Sequence, residues 1–258
     1  MKMATLALLL LAFTSLPLAA ADRLVGVDTR PGVRVAYWLM ERPGATATVM
    51  LLPGGGGGIG MKHGVPTSEN FLVRSRDLFA AAGYNVAIVG KPSDRGDLDV
   101  GFRASADHVA DLRRIAAKLR ADFGKPVWLV GTSLGTISAA ATAIAMEPGE
   151  IAGVVLTSSR TGGKYPTVPG LALARIRVPV LVMHHRDDAC PSCNPSEASR
   201  ITAGLTNSPV KKFILVEGGG GAHGPPCEAL HYHGYVGMEK EAVDTITAWM
   251  RDPVGDKS

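Results

Sequence analysis

Ser133 stands between glycines, in Gly131-Thr132-Ser133-Leu134-Gly135. An apolar run, "PVWLV", leads into it, and a run rich in Ala, Thr and Ser leads out. A G-x-S-x-G string at a strand-to-helix turn holds its serine in strained backbone geometry and lifts the hydroxyl clear of the sheet. The amide of the next residue, Leu134, then opens a helix whose dipole favours a developing negative charge. Such an arrangement suits attack by an oxygen nucleophile on a carbonyl carbon. The pattern is weak alone, and the strand before and helix after are the context it demands.

A serine hydroxyl needs a base, and a basic histidine needs an acid to set its tautomer. The stretch "VLVMHHRDDACP" places Asp187 and Asp188 just past a strand. Only one of these adjacent carboxylates can face a histidine, and the other is a solvated loop charge. Between the last strand and the last helix, "GGGGAHGPPCEALHYHGYVGMEKE" offers His223, His231 and His233. His233 is favoured because it is closest to the final helix and Gly234 leaves room for its ring. His223, in a Gly/Pro loop, comes second and His231 third. His184 and His185 read as packing residues at a strand end. The resulting chain order is Ser…Asp…His.

A further candidate is "LLPGGGGGIG", residues 51–60. Gly55 to Gly60 matches the dinucleotide string G-x-G-x-x-G. The following "MKHGVPTSEN" cannot open the required helix, however, because Gly64 and Pro66 interrupt it. Asp77, at about the right distance, falls inside a helical pattern rather than at a strand end. No G-x-x-x-x-G-K-S/T string occurs either. The better reading is a loop whose bare amides near Gly55 join that of Leu134 in an oxyanion hole. A plain mobile turn is the competing one.

The elements that must position these groups alternate in period. Strands are predicted at "VRVAYWLME", "TATVMLLP", "NVAIVG", "PVWLVG", "IAGVVLTSS", "VPVLVMHH" and "KKFILVE". Helical spacing runs through "NFLVRSRDLFAAAGY", from Ala104 to Phe123, through "LGTISAAATAIAM" and through "GMEKEAVDTITAWM". Gly83 and Gly124 are predicted to end the first two helices. The alternation predicts an α/β fold with a mostly parallel central sheet and helices on both faces. The short "RTGGKYPTVPGLALARI" leaves no room for a large lid.

The first residues read as a signal peptide: Lys2, an apolar run from Leu6 to Phe13, Pro17, and small residues Ala19 to Ala21. Cleavage after Ala21 leaves residues 22–258 as one domain, periplasmic or secreted, with no membrane span after cleavage. The net charge of +4 is spread without a dense cluster, and "RRIAAKLR" is the solvated face of an amphipathic helix, so no nucleic-acid partner is expected. Export puts Cys190, Cys193 and Cys227 in an oxidising compartment, where at least one disulfide is expected and the pairing is open. Cys190 and Cys193 form a C-x-x-C string, but a redox role needs a helix N-terminus at the first thiol, for which Pro195 and the loop around it give only weak support. Four zinc ligands cannot be assembled. No metal or cofactor is expected.

Taken together, the Ser133 turn, the Gly54–Gly58 loop, the Asp187/Asp188 loop and the terminal histidine loop resemble the α/β-hydrolase superfamily across the chain beyond residue 21. Within it, "HHRDDACP" with "PPCEALHYHGY" resembles small secreted bacterial α/β hydrolases distantly similar to dienelactone hydrolases. The resemblance implies Asp188 as the acid, His233 as the base and a Cys190–Cys227 disulfide. Such a bridge would tie the acid loop to the base loop and contribute roughly 4 kcal/mol by loop-closure entropy. Ser133, where dienelactone hydrolases have Cys, departs from that pattern. The implied activity is a serine hydrolase on small-molecule carboxylic esters. The alternatives are a lactonase, amidase or peptidase on the same triad, or a binding protein of the same fold. A nicotinamide-dependent oxidoreductase rests on the glycine string alone.

Overall fold

The structure, a computed structural model, describes residues 21–164 and 166–255. The predicted signal peptide, up to residue 20, lies outside the described residues.

Among the described residues, eight strands form one sheet: β1 (Arg23–Arg30), β2 (Val33–Met40), β3 (Ala47–Leu52), β4 (Tyr84–Pro92), β5 (Val127–Thr132), β6 (Gly153–Thr157), β7 (Val180–His185) and β8 (Lys211–Val216). Their spatial order is β1-β2-β4-β3-β5-β6-β7-β8. β1, β2 and β4 pair antiparallel, and all other neighbours pair parallel. The periodicity does not predict β1, because on this edge strand only Val25 and Val27 supply an apolar face against Gly26 and Asp28, too short a run to stand out.

Among the described residues, seven α-helices accompany the sheet: α1 (Phe71–Arg74), α2 (Arg76–Ala81), α3 (Val100–Arg103), α4 (Ala106–Phe123), α5 (Gly135–Ala145), α6 (Ser199–Gly204) and α7 (Glu239–Arg251). The helix predicted over "NFLVRSRDLFAAAGY" is split into α1 and α2 at the buried Ser75, where ψ swings to 6°. The split lets Phe71 and Phe79 both reach the interior. α4 starts on a Ser105 side-chain cap and stops at Gly124, whose φ of 60° is left-handed.

Alternation along the strands feeds a core on each face. Tyr37, Leu39, Met50 and Leu52 pack on one side. Trp38, Met40, Val49 and Leu51 pack on the other, beneath α1, α2 and α7. Burial on both faces is why these strands read as unbroken apolar runs. Each such side chain contributes roughly 1.5–3 kcal/mol by leaving water. Between β6 and β7 the described chain makes only 3₁₀ turns, Val168–Gly170 and Leu173–Arg175, and no lid. No described helix is long and apolar enough to cross a membrane. At the carboxyl edge of the sheet, β3 runs into the glycine loop, β5 into Ser133, β7 into Asp188, and β8 into the loop carrying His233.

Candidate active site

Ser133 follows the last residue of β5 and has φ +53°. A non-glycine residue held there costs roughly 1–3 kcal/mol, so the surroundings must over-determine it. They do so from both sides. Its amide donates to Thr157 O at 3.0 Å, and its carbonyl accepts from the Thr136 amide and, at 2.6 Å, from Thr136 Oγ1. The flanking glycines permit close approach: a Cβ on Gly131 would meet Gly135 O at 2.5 Å, and one on Gly135 would run into Leu52 O. α5 therefore lies against the turn and β3 at backbone distance. The Leu134 amide donates to no described residue.

Past the end of β7 the adjacent aspartates separate. Asp187 is exposed, and its amide donates to His185 Nδ1. Asp188 is buried; Oδ1 accepts the Cys190 amide at 2.9 Å and Oδ2 accepts from His233 Nδ1 at 2.8 Å. A proton on Nδ1 leaves Nε2 of His233 with a free lone pair. That atom is buried and has no partner, in the wall of a cavity that Ser133 shares. No hydrogen bond joins it to Ser133. The Cys193 thiol lies near the Ser133 hydroxyl. Serine–histidine links are often open in unliganded sites and tighten when substrate arrives.

The other histidines go elsewhere. His223 is exposed and bonds Gly221 O, and His231 lies edge-on to Tyr232. His184 accepts from the Ser159 amide, and burial pushes its pKa down to about 4. His185 stacks on Tyr232 and, with Nδ1 accepting, donates from Nε2 to Gly218 O. Gly234 does not make room for the His233 ring as expected. A Cβ there would strike the carbonyl of Ala229, so the glycine serves packing within the loop itself.

Several ties hold the His233 loop in place. Ser158 Oγ donates to His233 O at 2.8 Å, and Arg74 bonds both Gly234 O and Glu239. Tyr235, fully buried on Phe71, donates from Oη to Met183 O. Cys190 and Cys227 form the disulfide that joins the Asp188 loop to the His233 loop. Cys193 is the residue that sequence reasoning missed as part of this site. It is a free, buried thiol whose pKa burial pushes up to about 12, which makes it an inert group rather than a reactive one. Its only signal is the C-x-x-C spacing. The donor atoms of Cys190, Cys193 and His233 lie within 4.8 Å of one another. The Cys190 sulfur is committed to Cys227, which leaves two donors, fewer than a zinc site takes.

After β3 the glycine loop turns back on itself, with the Gly57 amide on Gly54 O and the Leu98 amide on Gly56 O. The amides of Gly54, Gly55 and Gly56 donate to no described residue. A two-stranded hairpin, Met61–Lys62 with Val65–Pro66, follows in place of the helix that a dinucleotide site requires. The cavity measures about 320 Å³ and is walled by Gly54–Gly56, Ser133, Phe71 and His233, with Glu69 and Glu228 also lining it. Chemically, the arrangement offers a hydroxyl on a rigid turn, an imidazole backed by a buried carboxylate, and backbone amides of the adjoining loops that donate to no described residue.

No protein-family model matches the chain, and no curated protein sequence does. Solved structures do. A dienelactone hydrolase from Anabaena variabilis superposes with a TM-score of 0.64 at 15% identity, covering 90% of this chain and 97% of that one. An esterase from Pyrococcus furiosus gives 0.62 at 15%, covering 91% and 92%. A lidless α/β serine hydrolase from Xanthomonas campestris gives 0.57 at 14%, covering 89% and 92%. With its strand order, its antiparallel start and its sharp turn after β5, the chain has the lidless α/β-hydrolase fold.

Proposed function

We propose that the chain is a serine hydrolase of small carboxylic esters, working through an acyl-enzyme. The observation that carries this reading is the Asp188–His233 pair, whose Nε2 is buried and unpartnered in the cavity that Ser133 enters. Nε2 takes the hydroxyl proton as Ser133 Oγ bonds to the carbonyl carbon. The carbonyl electron pair moves onto oxygen, where the amides of Leu134 and Gly55 receive it. The oxyanion collapses, His233 hands the proton to the leaving alcohol, and water repeats the sequence to free the acid. Asp188 holds the ring and balances its charge when protonated.

The cavity volume suits a short acyl group. Glu69 and Glu228 line it and no Lys or Arg does, so neutral esters should be preferred over esters bearing a carboxylate. Export to the periplasm or beyond is part of the same proposal, supported by the disulfide. The test is hydrolysis of short p-nitrophenyl esters together with labelling by a fluorophosphonate. Both should vanish in Ser133→Ala, and undiminished hydrolysis by that variant would end the proposal.

A further inference from the structure

Arg103, the last residue of α3, is 1% exposed and is the bulkiest of the fully buried side chains. None of its hydrogen bonds goes to a carboxylate. Nε donates to Leu98 O at 3.2 Å and Nη1 to Ser138 Oγ at 2.9 Å. Nη2 alone donates to two carbonyls of the glycine loop, Pro53 O at 3.1 Å and Gly55 O at 2.9 Å. Burial pushes its pKa down to about 10, which still leaves it charged at neutral pH. An apolar side chain would fill this volume without the desolvation penalty of a buried, unpaired cation. The charge and its forked donors are therefore what needs explaining.

Peptide geometry supplies the explanation. In a trans peptide the carbonyl and the amide point in opposite directions. With Pro53 O and Gly55 O turned to the guanidinium, the amides of Gly54 and Gly56 face away from it. The intervening Gly54 carbonyl is held by the Gly57 amide, which sets the direction of the Gly55 amide. The loop abuts Ser133: a Cβ on Gly54 would stand 2.8 Å from Ser133 Cβ and 3.4 Å from its Oγ. Glycine peptides rotate at little steric cost. A flipped peptide here would present a carbonyl oxygen, rather than an amide, to the anion formed in the reaction.

We propose that Arg103 is a positioning residue for the oxyanion-binding loop, clamping the carbonyls of Pro53 and Gly55 on either side of the Gly54–Gly55 peptide so that this peptide cannot turn and its Gly55 amide stays available at Ser133. This rests on the hydrolase reading above. Ser138 orients the guanidinium in turn, and its Oγ also bonds His108 Nε2 at 2.9 Å.

The experiment compares the full-length parent with Arg103→Met, Arg103→Lys and, as a destabilised control away from the loop, Asp111→Asn, which breaks the buried ion pair with Arg30. For each, kcat and KM on a short p-nitrophenyl ester are normalised to the sites labelled at end point by a fluorophosphonate. Affinity for a trifluoromethyl ketone, which forms a tetrahedral oxyanion on the serine, and the melting temperature are measured alongside. Arg103→Met should lower kcat by roughly 10- to 100-fold with KM within about threefold, and ketone affinity should fall in parallel. Arg103→Lys should recover part of the loss. Asp111→Asn should lower the melting temperature while keeping kcat. The proposal is overturned if Arg103→Met behaves like Asp111→Asn, or if neither Arg103 variant folds, since the residue is then a core element only. Failure of the hydrolase reading shows differently: the parent itself would neither hydrolyse the ester nor take the label at Ser133, and both proposals would go.

Discussion

Two serine–histidine pairs lie close together in this molecule, and the better hydrogen-bonded one has no route to chemistry. Ser138, inside α5, bonds His108 Nε2 at 2.9 Å, whereas Ser133, just before α5, makes no hydrogen bond with His233. His108 Nδ1 has no partner, while His233 Nδ1 has Asp188. Burial, with Arg103 and Arg30 nearby, pushes the His108 pKa down to about 3, so its ring cannot accept a proton near neutrality. Ser138 is wholly buried, and the void beside it is about 10 Å³, too small for a substrate. Under the proposed function, a short serine–histidine distance is neither sufficient nor, in an unliganded site, required. What sets the Ser133 pair apart is a carboxylate behind the ring, an open cavity and a strained turn that presents the hydroxyl.

The largest effect should come from exchanging the serines. Ser133→Ala should cost ~10⁴-fold or more in kcat on a short ester. Ser138→Ala, which acts only through Arg103, should cost no more than about tenfold. Equal losses in the two variants would erase the distinction between the pairs. Next in size, Asp188→Asn should lower kcat by ~10⁴-fold, because the amide no longer holds the ring in its tautomer. Asp187→Asn should leave kcat unchanged, and a comparable loss there would mean that the wrong carboxylate has been assigned.

The buried histidines respond to pH through stability rather than rate. His108 and His184 are held neutral in the fold, with pKa values of about 3 and about 4, whereas the unfolded chain protonates them near pH 6.5. Their contribution is fully present above pH 6.5 and is lost as pH falls from there toward the folded values. The slope is ~1 kcal/mol per pH unit for each ring. Denaturant unfolding between pH 7 and pH 5 should show this fall, and His108→Gln should flatten it. An unchanged slope in that variant would mean that His108 is already protonated in the fold. The smallest effect concerns the open side of the comparison. Glu69→Gln with Glu228→Gln should raise turnover of a carboxylate-bearing ester about two- to fivefold relative to a neutral one at low salt. The gain should fade as salt screens exposed charge. No change at low salt would show that these carboxylates do not reach the substrate.

Much of this arrangement was legible before any coordinates. Apolar period alone places all the parallel strands, α4, α5 and α7, because burial on one or both faces writes itself into neighbouring residues. Gly131, Ser133 and Gly135 announce the turn after β5, since only residues without side chains fit against β3 there. The edge strand β1 and the break at Ser75 were not legible, because an edge strand is half-solvated and a bent helix keeps its spacing.

What the chain alone determined, then, is which segments become strands, which become helices, and that a glycine-flanked serine, an acid loop and a histidine loop all leave one edge of the sheet. The residues by themselves left Asp187 and Asp188 open and only the family resemblance pointed to Asp188; tertiary structure sets Asp188 Oδ2 against His233 Nδ1 and brings Cys193 beside Ser133. It alone decided that an ordinary-looking arginine at the end of α3 grips the carbonyls of the glycine loop. The physical reason is range. Periodicity records how a residue faces its own element, but contacts between loops depend on the order β4-β3-β5-β6-β7-β8 in which distant strands line up, and no local pattern carries that order.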